Sequence, residues 1–301
     1  MADLLRPAGS LRAGPDPILL TPEAAGWTYS GLRVLRLAAG ETRPVDTTGF
    51  EAAVLPLSGS ATVVADGETI ELSGRPSVFS HVTDFAYVGC DTTMAITSAA
   101  GGEFAICTAQ TAVRRAPKYG PVSGVQIEVR GGGQATRQIN NFMSPETWDH
   151  ADKLLCVEVL TPEGNWSSYP PHKHDASPEC EVNNEEIYYF RIGQHGTVDY
   201  SDVGFGMHRT YTGEGDPGEP IDIDTVVRDG DVFLVPRGYH GPCIAAPGYH
   251  MYYLNVLAGP GGERSMAFCD DPTHHWTRDE LSSRPLDPRC PLTTAEGPTH
   301  V

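Results

Sequence analysis

Pro170-Pro171-His172-Lys173-His174-Asp175, followed after a polar stretch by Glu185-Glu186-Ile187-Tyr188-Tyr189-Phe190, is the part of this 301-residue chain on which its reading turns. Two histidines at i and i+2 share one face of an extended strand, because side chains alternate with period two. Side-by-side imidazoles, with a carboxylate arriving from the next strand, suit a divalent cation. The pair alone says little, since 11 histidines produce this spacing by chance fairly often. A second block adds weight. Gly230-Asp231-Val232-Phe233-Leu234-Val235-Pro236-Arg237-Gly238-Tyr239-His240 reads as turn, buried strand, turn and one more histidine.

Outward from these blocks the chain reads as short strands. Before them come Leu32–Leu37, Phe50–Leu57, Ala61–Ala65 closing on an Asp66-Gly67 turn, Glu68–Leu72, Ser77–Phe79, Phe85–Val88, Met94–Thr97 and Phe104–Ala109. Strands so short and so regularly spaced predict an all-β fold of sandwiches or barrels. A weak internal repeat points the same way: Gly74-Arg75-Pro76-Ser77-Val78-Phe79 with Phe85–Val88 mirrors Gly230–Phe233 with Tyr249–Leu254. Two tandem β-sandwich or jelly-roll barrels follow, and only the second holds the H-x-H pair. The expected division is an irregular arm over 1–26, a first domain over 27–115, a second over 120–262 and a tail over 263–301. The stretch from Asp287 to Val301 reads as disordered or loosely docked. Gly131-Gly132-Gly133, between Arg130 and Arg137, reads either as a flexible turn or as a loop contacting substrate.

Composition narrows the function. Lys+Arg 21 against Asp+Glu 39 gives a net charge of -18, which argues against a nucleic-acid partner. No apolar stretch is long enough to span a membrane and no export signal opens the chain, so a soluble cytoplasmic protein is expected. Seven cysteines, with no C-x-x-C pair, predict reduced thiols rather than a disulfide framework.

The residues also carry a resemblance. His172-x-His174, a carboxylate followed by a glycine, and a later G-x5-P-x-G ahead of a histidine resemble the two signature motifs of the cupin superfamily. Glu186, with six residues between it and Gly193, fits the carboxylate position. The gap from His174 to Glu186 exceeds the usual three or four residues, so Asp175–Asn184 reads as an inserted loop. Only Tyr239 separates Gly238 from His240 where two residues are usual. These departures leave Glu179 and Glu185 open as alternatives to Glu186. At greater length, Asn165–Asp175, Glu186–Arg191, Val235–His240, Tyr252–Val256 and Ala258-Gly259-Pro260 resemble the 5-deoxy-glucuronate isomerase family of bacterial inositol catabolism.

That resemblance implies a bicupin that converts the aldose acid 5-deoxy-D-glucuronate into 5-dehydro-2-deoxy-D-gluconate. It implies one divalent metal ion, zinc first with manganese or iron as alternatives, held by His172, His174, Glu186 and His240. A Lewis acid of this kind stabilises the enediolate formed when the proton beside the carbonyl leaves. The group that moves that proton is sought among Lys173, Glu158, Tyr188 and Tyr249. Lys173 points opposite to the ligands if its strand is regular. The substrate's carboxylate calls for Arg130, Arg137 or Arg209, because a guanidinium fork matches it. The expected partner is thus a small anionic sugar acid, and the bicupin is expected to form a homo-oligomer. A cupin dioxygenase and a sugar-binding bicupin are the competing readings, because the ligands do not fix the metal.

Overall fold

Strands in this protein are of two kinds, buried on one face or on both. Glu51–Leu57 of the strand Phe50–Ala65 and Glu186–Gly193 of the strand Glu185–Gln194 are buried without a break, because each lies in a sheet covered on both sides. Glu41–Asp46 and Gly206–Tyr211 alternate, because one face meets water. The computed structural model describes residues 4–176, 179–262 and 264–299. Positions 1–3 of the arm, 177–178 of the inserted loop, and 263 and 300–301 of the tail lie outside the described residues.

The chain forms two barrels in tandem, the all-β bicupin plan. In the first, one continuous path orders Lys118–Gly120, Phe85–Val88, Phe50–Ala65, Gly102–Gln110, Ser30–Leu37 and Ile18–Leu20, with Glu41–Asp46, Glu68–Arg75 and Thr93–Ser98 curling over it. In the second, a seven-stranded sheet orders Leu5–Arg6, Val232–Val235, Glu185–Gln194, Tyr249–Ala258, Leu155–Thr161, Arg137–Met143 and Gln126–Arg130. A six-stranded sheet faces it, with Asp222–Val227, Gly206–Tyr211, Tyr239–Ala245, His172–Lys173 and Cys269–Asp270 in order and Trp166–Ser167 beside Tyr239–Ala245. The large sheets of the two barrels pack back to back, so one apolar cluster runs from Leu32, Leu55 and Phe85 to Ile187, Tyr189 and Leu254. A separate cluster fills the first barrel.

Several expectations change at this level. The first barrel's sheet takes in Ile18–Leu20 from the arm and Lys118–Gly120 beyond position 115. Leu5–Arg6 crosses to pair with Val232 and Phe233 of the second barrel. Ser77-Val78-Phe79 is a turn, not a strand. The Phe79 ring lies so close to Gly193 that a Cβ there would come within 2.7 Å of it, so the motif glycine serves inter-barrel packing. The tail is docked through Thr299: Leu292 and Thr293 are buried, Gln138 exchanges hydrogen bonds with Thr293, and Val82 N–H donates to Thr294. Isolated contacts hold it, and these leave no periodic signal. The glycine triplet meets the same region, since a Cβ on Gly132 would lie 2.1 Å from the Leu281 carbonyl. Cys180 and Cys269, 89 residues apart, form a disulfide; strand pairing beside Lys173 brings them together, which no local spacing reveals. Among the described residues no helix is long and apolar enough to cross a membrane.

Candidate metal centre and its cavity

His172 and His240 are directly opposed residues on adjacent strands of the six-stranded sheet, and their rings lie 4.5 Å apart. Glu186 reaches them from the opposite sheet. The ligand atoms of His174, Glu186 and His240 all lie within 4.8 Å of one another, and all three residues are buried. His172 stands beside His240, but none of its ligand atoms lies within 4.8 Å of all three. Each histidine turns Nδ1 toward a backbone carbonyl: Pro170 at 3.2 Å for His172, Asn184 at 3.1 Å for His174 and Gly238 at 3.4 Å for His240. With Nδ1–H donating, Nε2 carries the lone pair, the tautomer a metal ligand needs.

Glu186 Oε2 lies 3.0 Å from His174 Nε2 and 3.2 Å from His240 Nε2. The contact to His240 is angled off a hydrogen bond, and that nitrogen is buried without a partner among the described residues. A carboxylate oxygen facing two lone-pair nitrogens repels them unless something positive sits between. Two imidazoles and a carboxylate converging in this way, with the His172 ring beside them, fit a divalent cation. Where a proton rather than an ion bridges this contact, it lies between His174 and Glu186. Burial resists ionisation of Glu186, yet the His174 hydrogen bond and the charges of His174 and His240 hold it below the usual carboxylate range. Burial works against a proton on His174, and the Glu186 hydrogen bond outweighs it, raising that histidine. His172 is pushed well down by burial and then by His240 and His174.

The centre opens into a cavity of about 510 Å³, within the range of small-molecule sites. Its floor follows from register. Glu186 and Tyr188, Asn255 and Leu257, Val157 and Val159, Arg137 and Ile139, and Glu128 and Arg130 fall on one face of five successive strands. Ser265–Phe268 cover it, with the Phe268 ring 4.6 Å from His172. That cover is tied to the inserted loop by Val182 N–H donating to Ala267, by Asn184 donating to Ser265, and by the Cys180–Cys269 disulfide.

The expected site residues divide sharply. Tyr188 lines the cavity, with its hydroxyl 3.3 Å from Ser168 Oγ and its ring stacked 4.8 Å from Tyr253. Burial, then the charge of Glu186, pushes its hydroxyl pKa well up. Arg130 and Arg137 are opposed across two strands and both line the cavity. Arg130 is forked onto Glu128. Arg137 is buried, donates to the Ala135 carbonyl at 3.2 Å, and has no carboxylate partner among the described residues. Burial, reinforced by Arg130, lowers it to about 10.

The others stand elsewhere. Glu158 lies between Val157 and Val159, so period two turns it to the back of the sheet. There it pairs with Arg75 of the first barrel and accepts from Tyr252 and Asn140. Lys173 points away from the cavity, 3.2 Å from Asp175 and 3.6 Å from Asp216. Tyr249 is at the far end of its strand, opposite Gln194. Arg209 sits on the outer face of the six-stranded sheet over Tyr211, near Asp222 and Asp224. Among the alternative carboxylates, Glu185 accepts from the backbone amides of Thr28, Tyr29 and Ser30 in the first barrel, and Glu179 is on the exposed turn of the inserted loop.

A family model described as KduI/IolB matches residues 4–277. The chain belongs to the KduI/IolB family. A 5-deoxy-glucuronate isomerase of Geobacillus kaustophilus is 40% identical over 283 residues, 93% of this chain and 96% of that protein. The enzyme of the same name from Bacillus subtilis strain 168 is 36% identical, over 85% and 90% of the two chains. The crystal structure of an IolB-like protein from Salmonella typhimurium superposes with a TM-score of 0.80 at 31% identity, covering 91% of this chain and 99% of that one. Bacillus subtilis oxalate decarboxylase shares the fold, with a TM-score of 0.62 at 11% identity over 90% of this chain and 80% of its own. Within this KduI/IolB chain, Ser168 and Asn255 also line the cavity, and no local motif assigns either of them a role. Asn255 stands two residues from Tyr253 in an apolar strand, and only cross-strand register brings it beside Glu186.

Proposed function

We propose that this protein is a metal-dependent aldose–ketose isomerase that converts 5-deoxy-D-glucuronate to 5-dehydro-2-deoxy-D-gluconate in myo-inositol catabolism. The observation that carries the reading is Arg137: a buried guanidinium without a carboxylate partner shares one cavity with the histidine–glutamate cluster. A buried charge of this kind calls for a counter-ion. A sugar acid supplies one at one end and a carbonyl at the other.

His172, His174, Glu186 and His240 would hold the ion, with zinc the first choice for this borderline donor set and manganese or iron the alternatives. A divalent cation there supplies Lewis acidity that polarises the carbonyl and stabilises an enediolate. Arg137 holds the substrate carboxylate, and Arg130, already engaged by Glu128, adds positive potential beside it. Val157, Val159, Ile139 and Leu257 give the floor an apolar surface that excludes water from the reacting carbons. Tyr188 keeps its proton on the hydroxyl, so it donates to a sugar oxygen, and Ser168 orients that hydroxyl.

The test is an anaerobic assay that follows 5-deoxy-D-glucuronate to its ketose, with and without prior chelator treatment. Isomerisation without oxygen, lost on metal removal and restored by metal, is the expected result. Turnover that survives complete metal removal, or that consumes oxygen, overturns the reading.

A further inference from the structure

Asn255 projects onto the cavity floor from Tyr249–Ala258, between Tyr188 on one neighbouring strand and Val157 on the other. It is 6% exposed. Its side-chain nitrogen donates to Glu186 Oε1. An ionised carboxylate only accepts, so this contact fixes which end of the amide is which. The other end, Oδ1, is buried with no hydrogen-bond partner among the described residues. Of its neighbours on the floor, Val157 and Leu257 offer no donor side chain, and the Tyr188 hydroxyl meets Ser168 instead. A buried amide oxygen without a donor is costly, and such atoms are rare in folded proteins. The donor that suits it comes from the cavity.

We propose that Asn255 is the specificity-determining residue that accepts a hydrogen bond from the substrate hydroxyl on the carbon next to the carbonyl. This rests on the sugar-acid reading above and extends it to a named group. One amide then does two things: its N–H end aims Glu186, whose other oxygen faces His174 and His240, and its C=O end selects ligands that carry a hydroxyl beside that cluster. A ligand without the hydroxyl leaves Oδ1 unpaired, and a site built to bond a hydroxyl rejects such analogues strongly.

The experiment compares metal-loaded wild type with Asn255→Ala and Asn255→Leu, the latter close to asparagine in shape. Calorimetry gives dissociation constants for 5-deoxy-D-glucuronate at its isomerisation equilibrium and for 2,5-dideoxy-D-glucuronate, which lacks the hydroxyl in question. Wild type is expected to favour the hydroxylated compound by about a hundredfold or more. In both variants the ratio falls to within about threefold. Val256→Ala, buried on the opposite face of the same strand, disturbs the packing beside Asn255 without touching the amide or the cavity lining, and it keeps the wild-type ratio. Metal analysis of each protein reports the other end of the amide: the Asn255 variants bind the ion about 10- to 100-fold more weakly. If wild type isomerises the uronate yet binds both compounds within threefold, or if the variants retain its ratio, the role of Asn255 is overturned and the isomerase reading stands. If wild type binds neither compound, the sugar-acid reading fails and this inference falls with it.

Discussion

The two barrels share a plan and differ in what fills them. Inside the first, Leu35, Val54, Val63, Ile96, Phe104 and Ile106 close up with small residues such as Ala52, Ala61 and Ala86 into an apolar core. Inside the second, the corresponding space is a cavity whose lining includes His172, His174, Glu186, Arg137, Tyr188 and Asn255. A closed apolar interior adds stability, whereas a buried polar interior costs stability until its groups are satisfied. The first barrel therefore acts as a scaffold. Its outer sheet supports the back of the sheet whose front carries Glu186, Tyr188 and Asn255, and Arg75–Glu158 and the Glu185 bonds tie the two together.

Paired substitutions are the strongest attack on this division. His240→Ala is expected to remove stoichiometric metal and to lower isomerisation by about a thousandfold or more, since Lewis-acid stabilisation is worth several kcal/mol at about 1.4 kcal/mol per decade. Phe104→Ala, in the fully buried core of the first barrel, is expected to lose roughly 3–5 kcal/mol of stability. Its metal content per folded molecule and its KM stay at wild-type values. Metal analysis, steady-state kinetics and urea unfolding read both. A large rise in KM for Phe104→Ala would break the comparison.

Arg137 sharpens it further. Replacing a buried, unpaired cation by an apolar side chain of similar length relieves desolvation, so Arg137→Met leaves stability unchanged or higher. The same change removes the partner of the substrate carboxylate, and KM is expected to rise by roughly a hundredfold. Stability and activity thus move apart, as they do where a residue is retained for binding. A fall in stability together with an unchanged KM would assign Arg137 to the scaffold instead.

The signals legible in the sequence were local ones. H-x-H, the glycine spacing and the turn ahead of His240 located the strands that bring His172, His174, Glu186 and His240 together, and short strands between turns announced the barrels. What stayed hidden depends on register between distant strands. Glu158 suits a base by residue type alone, but Val157 and Val159 take the cavity face and leave it on the back of the sheet. Asn255 is one polar residue in an apolar run, and only its pairing with Tyr188 sets it beside Glu186. Arg137 and Arg209 are chemically alike, and only the choice of sheet face separates the cavity from solvent. Cys180–Cys269 and the docked tail are contacts between segments that share no period.

Acid gives the smallest and most selective test. Among the described residues the buried histidines all lie in the second barrel, some of them away from the metal centre, whereas the first buries carboxylates and an arginine such as Glu51, Asp84 and Arg75. His250 is 7% exposed, and its Nδ1 accepts the Glu163 backbone N–H at 3.1 Å, which requires the neutral ring. Burial, aided by His195 and Arg289, lowers it to about 4. The unfolded chain takes up the same proton near pH 6.5. The stability that the neutral ring contributes is therefore complete above about pH 6.5 and is lost as pH falls toward 4, by about 1.4 kcal/mol per unit. At pH 5 that amounts to roughly 2 kcal/mol. His250→Asn keeps an acceptor for Glu163 but does not titrate. Urea unfolding at pH 7 and pH 5 should show wild type losing about 2 kcal/mol more than the variant. His208, held at about 3 by burial, shifts stability in the same direction but is present in both proteins, so the difference isolates His250. Equal losses in the two proteins would mean that His250 titrates normally and that the second barrel's sensitivity to acid is confined to its cavity.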